Sequence, residues 1–243
     1  MEKKEIIPGR NPVTEYLKNL KAGSGARLYI SESAHGKIID TIRSLAGTAK
    51  VPVILQEKKF FSRFGSSSTH QGVVLELSGH KEEISIHDFL KNTAESKGVI
   101  ALLDHLTDPH NVGAIIRSAE GLGISGVVIP KSDAVGITDT VIKSSAGATA
   151  YLPVHRVPNT ARFADMAKEA GFWIIGTTDH GDKSPDELKD LRPAVIVIGS
   201  EGTGMRRLTE ERCDYLARID LKGKVSSLNA SVAAGILFYE IMK

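Results

Sequence analysis

Three short stretches of this chain set polar side chains beside glycine or small residues at spacings that suit a binding site. The first is Asp104-His-Leu-Thr-Asp-Pro-His-Asn111-Val-Gly-Ala-Ile-Ile-Arg117. Asn111 is placed to cap the helix that follows it. In that helix Val112, Ile115, Ile116, Ala119 and Leu122 form an apolar stripe, and Arg117 falls nearly opposite. The second is Gly199-Ser-Glu201-Gly202-Thr-Gly204. Its glycines permit close backbone approach to a ligand. It lacks the Gly-Lys-Ser/Thr of a phosphate-binding loop, and a carboxylate at its centre would repel phosphate. It suits an uncharged or cationic group. The third is Ser226-Ser227-Leu228-Asn229 ahead of Ala230, Ala233, Ala234 and Gly235. It supplies three hydrogen-bonding side chains at a helix start, where one cap would suffice. The bland alternatives are a capping Asn, a solvated Arg, an exposed Glu in a turn, and a cluster of caps.

These stretches need strands and helices to position them. From residue 98 onward the chain alternates short apolar runs (99–103, 126–130, 173–176 and 194–199) with helical patterns near 112–122, 139–148 and 160–170. Strands that read as continuous apolar runs are covered on both faces, which predicts a parallel sheet flanked by helices. Ligands of open α/β sheets bind beyond the carboxyl ends of the strands, where the three polar stretches fall. Residues 1–78 read as a smaller α/β unit with strands at 28–30, 53–55 and 73–77. Asn11 and Pro12 look like a helix start, and Ile38, Ile39 and Ile42 fit a second helix. Residues 79–97 are polar and read as a linker with a short possible helix near 86–90, leaving 98–243 as the second domain.

Composition narrows the classes. Hydrophobic residues make up 41% and charged residues 25% of 243, a soluble globular balance. No apolar run approaches the ~18 residues of a membrane span. MEKKEIIPGRN has no apolar stretch of signal-peptide length, so the expectation is a cytoplasmic protein. Cys213 is the sole cysteine, which leaves no internal disulfide or thiolate metal cluster. Charge is uneven: residues 1–78 balance at +5 and residues 79–243 at −3. A basic first third suits an anionic partner.

Taken together and in order, the stretches resemble a known family. Asn111-x-Gly113-x3-Arg117, then Ile198-Gly199-x-Glu201-Gly202-x-Gly204-Met205, then Ser227-Leu228-Asn229-x-Ser231 are similar to the three motifs of the SpoU (TrmH) RNA ribose 2′-O-methyltransferases of the SPOUT superfamily. Pro8-Gly9-Arg10-Asn11 and Thr69-His-Gln-Gly72 match recurring points of that family's accessory RNA-binding domain, which is similar to a ribosomal protein fold. The layout looks most like the branch acting on a guanosine ribose in large-subunit (23S) ribosomal RNA.

The resemblance implies an α/β fold whose C-terminal segment forms a deep trefoil knot, with the knot as the cofactor pocket. It implies S-adenosylmethionine as methyl donor, converted to S-adenosylhomocysteine, held against Gly199, Gly202, Ile219 and Leu228, with no metal. It implies a homodimer whose site is completed across the interface, an RNA partner, and no DNA or membrane. The acceptor would be a ribose hydroxyl, a weak acid that must be aligned and deprotonated. Arg117 would act as the base, or would clamp a phosphate that takes the proton. Asn111, Glu201, Ser227 and Asn229 would position the ribose, the arginine and the loops. Alternatives are a transfer-RNA methyltransferase and a non-catalytic RNA-binding ribosome-assembly protein. A nicotinamide oxidoreductase fits poorly. Gly121-x-Gly123-x-x-Gly126 has the glycine spacing but follows a helix and precedes a strand.

Overall fold

In the computed structural model, residues 5–22, 24–77, 84–224 and 227–243 are described. Ser226 of the third polar stretch and positions 79–83 of the expected linker lie outside them. The chain divides into two compact units.

The first unit holds strands β1 (Glu5–Pro8), β2 (Arg27–Ser31), β3 (Val53–Gln56) and β4 (Val73–Leu77) in the order β1-β4-β2-β3. The β1/β4 and β2/β4 pairs are antiparallel. The β2/β3 pair is parallel, with helix α2 (Lys37–Thr48) as its crossover. Ile39, Ile42 and Ala46 of α2 pack with Val13 and Leu17 of helix α1 (Arg10–Asn19) over Leu28, Ile30 and Leu75. The start of α1 differs from expectation. Gly9 is its N-cap, and Asn11 and Pro12 lie inside its first turn. Gly9 sits at φ +100, where a Cβ would come 3.0 Å from the Thr69 carbonyl. An L side chain fits neither that backbone nor that space. Gly9 N–H donates to Val73 O, and Arg10 donates from its N–H and its Nε to Gln71. The two short motifs noted in this third of the chain therefore touch each other.

Residues 137–151 belong to this first unit. They carry helix α6 (Asp139–Ser144), expected from its pattern, and a 3₁₀ turn at Ala148–Ala150. Ile142 and Ala150 enter the core with Ile7 and Val13, Tyr16 OH reaches Thr149 Oγ1 at 3.2 Å, and Asn19 Nδ2 donates to Ala150 O. Chain position suggested the other unit; the apolar face of α6 finds its partners here instead.

His70, at the end of the one-turn helix α3 (Ser67–His70), is buried and stacked on Phe61. Its Nδ1 accepts from Gly72 N–H, which requires that nitrogen unprotonated. Burial lowers its pKa below the ordinary value. The unfolded chain then takes up a proton near pH ~6.5 that the folded chain refuses, so this contribution falls as pH drops through that value. The expected result is a smaller fall in unfolding temperature between pH 7.5 and 5.5 for His70→Asn, which keeps an acceptor but does not titrate. Identical pH profiles for the two proteins would contradict this.

The second unit is built on six parallel strands in the order β10-β8-β9-β5-β6-β7. These are β5 (Val99–Asp104), β6 (Gly126–Pro130), β7 (Val154–Val157), β8 (Trp173–Thr177), β9 (Ala194–Gly199) and β10 (Tyr215–Ala217). Every residue of β5 and β6 is buried, as expected for strands covered on both faces. Helices α5 (Pro109–Gly121), α7 (Thr160–Glu169) and α9 (Ala230–Met242) flank the sheet. The polar segment expected to be a linker contains helix α4 (Ile86–Glu95), which buries Phe89 and Leu90 in the same core as Ile100 and Phe163. Its N-cap Ser85 accepts from Asp88 N–H. The end of α9 is tied down by Arg192, which donates to the otherwise orphaned Ile241 carbonyl at 2.7 Å.

Candidate functional site

Because all six strands run the same way, the loops after β5, β9 and β10 leave from one edge of the sheet. Those loops carry the three polar stretches.

The β9 loop is a tight reversal. Ser200 N–H donates to Gly204 O at 2.9 Å, and Gly204 N–H donates back to Ser200 O at 3.0 Å. At Gly199 a Cβ would meet the Gly204 carbonyl carbon at 2.4 Å, so no side chain fits. Gly202 sits at φ +84 with open space where a Cβ would be. The reversal lifts Glu201 to its tip.

Glu201 joins the three loops. Its Oε1 accepts from Asn111 Nδ2 at 2.8 Å and from Asn229 Nδ2 at 2.7 Å. Asn229 Nδ2 also donates to Asn111 Oδ1 at 2.9 Å, and Ala230 N–H points to Glu201 Oε1 at 3.5 Å. Asn111, Glu201 and Asn229 thus form a closed triangle linking the start of α5, the β9 loop and the start of α9. Asn229 has a second task. Its Oδ1 accepts from the backbone N–H of Ser231 and Val232, capping α9.

Asn111 does not cap α5, contrary to expectation. Asp108 does, accepting from His110 N–H at 3.0 Å, with Pro109 at the first helical position. An Asp followed by Pro is the stronger start signal. It leaves the buried Asn111 amide free to face Glu201.

Arg117 lies six residues along α5 from Asn111, roughly 9 Å of helix rise. It is exposed and has no hydrogen-bond or ion-pair partner among the described residues. The triangle does not include it. Ser227 and Leu228 are exposed, and Ile219, just past β10, is half-buried. Among the described residues no group of three His, Cys, Asp or Glu gathers as metal ligands. No helix there is long and apolar enough to cross a membrane.

One group was missed from the sequence. Asp104, at the carboxyl end of β5, is fully buried. Its Oδ2 accepts from Arg206 N–H at 2.7 Å, directly after the β9 loop, and its Oδ1 accepts from Thr160 Oγ1 at 2.9 Å and contacts His105 Nδ1 at 2.7 Å. A carboxylate ending an apolar strand was the available signal. Asp104→Asn replaces one acceptor with a donor among three groups that donate. The expected cost is on the order of 3 kcal/mol. That is a fall of roughly 6–12 °C in unfolding temperature, read by differential scanning calorimetry. A loss under ~2 °C would contradict it.

Comparison with known proteins decides the family. Residues 98–239 match the SpoU rRNA Methylase family, and residues 6–83 match the RNA 2′-O ribose methyltransferase substrate binding family. The chain belongs to the SpoU rRNA methylase family. Its relatives include the 23S rRNA (guanosine-2′-O-)-methyltransferase RlmB of Pseudomonas aeruginosa, 36% identical over 89% of this chain and 88% of that protein. RlmB of Coxiella burnetii is 38% identical over 89% of this chain and 87% of that protein. Among solved structures, the SpoU methyltransferase AviRb from Streptomyces viridochromogenes, in complex with AdoMet, superposes with TM-score 0.81 at 25% identity over 98% of this chain and 89% of that one. The α/β architecture and the parallel sheet are those of SpoU methyltransferases.

Proposed function

We propose that this SpoU protein transfers the methyl group of S-adenosylmethionine to the 2′-hydroxyl of a guanosine ribose in large-subunit (23S) ribosomal RNA. The single observation that carries the reading is the closed Asn111–Glu201–Asn229 triangle, which draws all three motifs to one edge of the sheet. The likeness to the RlmB relatives, over 89% of this chain, supports the branch.

The residues fit the donor. The absent Cβ at Gly199 lets the loop close on Gly204, the one at Gly202 leaves open space, and Glu201 suits a cationic rather than an anionic ligand. Gly199, Gly202, Ile219 and Leu228 would hold it. When bound, S-adenosylmethionine supplies a methyl group already activated by the sulfonium charge. The chain's own work concerns the acceptor. Asn111, Glu201 and Asn229 fix the loops, with Ser227 beside them on the third. Arg117 polarises the ribose hydroxyl and either takes its proton or clamps the phosphate that does. An arginine side chain gives up its proton only with difficulty, so the phosphate route is the less demanding one.

Arg117 needs an opposing surface. Val232, Ile236 and Tyr239 of α9 are exposed large side chains at helical spacing, so they share one face. This reading pairs that face with a second copy of the chain, whose loops would complete the site around Arg117. The deep knot belongs to the same reading, with Ser227, Leu228 and Asn229 as part of it. The first unit and its basic charge would dock the RNA.

The test is methyl transfer from labelled S-adenosylmethionine to unmethylated ribosomal and transfer RNA. Label in one 23S guanosine is expected. Label in transfer RNA would change the substrate and keep the enzyme. No label in any RNA despite cofactor binding would favour the assembly-factor reading.

A further inference from the structure

The first unit carries a surface feature that neither the motifs nor the triangle uses. A 3₁₀ segment, Lys58–Phe64 (KKFFSRF), follows β3. Phe61 anchors it, fully buried against Tyr29 and Val74. Phe60 and Phe64 pack on that cluster but stay partly open. The Phe60 ring lies 4.9 Å from Tyr29 and 5.6 Å from Phe64, centroid to centroid. Over this floor sits Arg63, its guanidinium carbon 3.9 Å from the Phe60 centroid and 4.7 Å from that of Phe64.

Arg63 is exposed and has no carboxylate partner among the described residues. Two aromatic rings fix its position, while its charge stays unneutralised. Lys58 and Lys59 are exposed in the same segment. Beside Phe60 lies a groove of about 490 Å³, lined by Glu32, Gln56, Glu57 and Lys59 among others. A planar cation held on aromatic rings, two further cations and a groove edged with donors and acceptors match one chemistry. Unpaired bases stack on aromatic and guanidinium planes while their phosphates seek lysine.

We infer that the Phe60–Arg63–Phe64 platform is a docking site for an unpaired nucleotide of the RNA substrate. The base stacks on Arg63, its edge enters the groove, and Lys58 and Lys59 meet the flanking phosphates. The inference rests on the proposed RNA substrate.

The experiment uses the full chain and two fluorescent probes of equal length, a single-stranded RNA and an RNA duplex, read by anisotropy. Methyl transfer to unmethylated ribosomal RNA is measured alongside. Arg63→Ala is expected to weaken the single strand about tenfold, within what one stacked base contributes. Duplex affinity and kcat at saturating RNA should stay near the unaltered protein's, while KM for RNA rises. Arg63→Lys keeps the charge and loses the plane, so it should weaken the single strand nearly as much. Full affinity in Arg63→Lys, equal losses on both probes, or no loss in Arg63→Ala would each overturn the platform. The functional reading fails separately, if the unaltered protein binds RNA and transfers no methyl group.

Discussion

Arg117→Ala is expected to lower methyl transfer by roughly 10³-fold while leaving S-adenosylmethionine affinity and unfolding temperature within error. Removing a group that assists proton transfer or stabilises developing charge typically costs about 10²–10⁴-fold. Stability should be spared because Arg117 is exposed, with no hydrogen-bond or ion-pair partner among the described residues. The checks are single-turnover kinetics, equilibrium titration of the cofactor and a thermal melt. Parallel loss of transfer and cofactor binding would make Arg117 a structural residue. Arg117→Lys distinguishes the two proton routes. A lysine can hold a phosphate as a point charge but lacks the planar fork. Partial activity in Arg117→Lys that stays level with pH favours the phosphate clamp, whereas activity that climbs with pH favours a base that must first lose its proton.

The second large effect is expected at Glu201. One oxygen, Oε1, receives both asparagine amides. Glu201→Ala removes the acceptor that joins three loops, and leaves the buried Asn111 amide short of a partner. A displacement of about 1 Å in a catalytic constellation can cost ~10²-fold. Transfer should fall by about that factor, with weaker cofactor binding. Glu201→Gln keeps a carbonyl oxygen in the same place and should remain within about tenfold of the unaltered protein, since neutral hydrogen bonds are roughly half as strong as charge-assisted ones. If Gln is as damaged as Ala, the charge rather than the geometry of Glu201 matters. If Ala is as active as the unaltered protein, the triangle is incidental.

The sequence showed the parts of this molecule that rest on local pattern. Continuous apolar runs located β5, β6, β8 and β9, and the fully buried β5 and β6 bear out the parallel sheet. Strands β1, β7 and β10 escaped notice. They are three or four residues long and at sheet edges, and most of their residues stay partly open to solvent. Helix α4 was legible only as a short possible helix near 86–90; it runs on to Glu95, and only Phe89, Leu90 and Thr93 are buried, so little apolar pattern marks its length. The helical pattern near 139–148 was legible, although α6 itself ends at Ser144. Its placement with the first unit was not, because that depends on Ile142 meeting partners over 100 residues away in the chain. At the site, residue types pointed to Asn111, Glu201 and Asn229 separately. Their hydrogen bonds span 28 to 118 positions, beyond any local signal. The cap of α5 was misplaced because Asn111 and Asp108 are both good capping residues, and Pro109 favours the aspartate. Asp104 was passed over as one more polar residue in a polar stretch.

The most direct test of the account is the chemical position of the transferred methyl group. RNA labelled by the protein from S-adenosylmethionine would be hydrolysed to completion in alkali and the fragments separated. Alkaline cleavage needs a free 2′-hydroxyl, so a methylated ribose protects its own linkage. All label is expected in one alkali-stable dinucleotide beginning with guanosine. Label in mononucleotides would place the methyl group on a base and contradict the ribose chemistry assigned to Asn111, Arg117, Glu201 and Asn229.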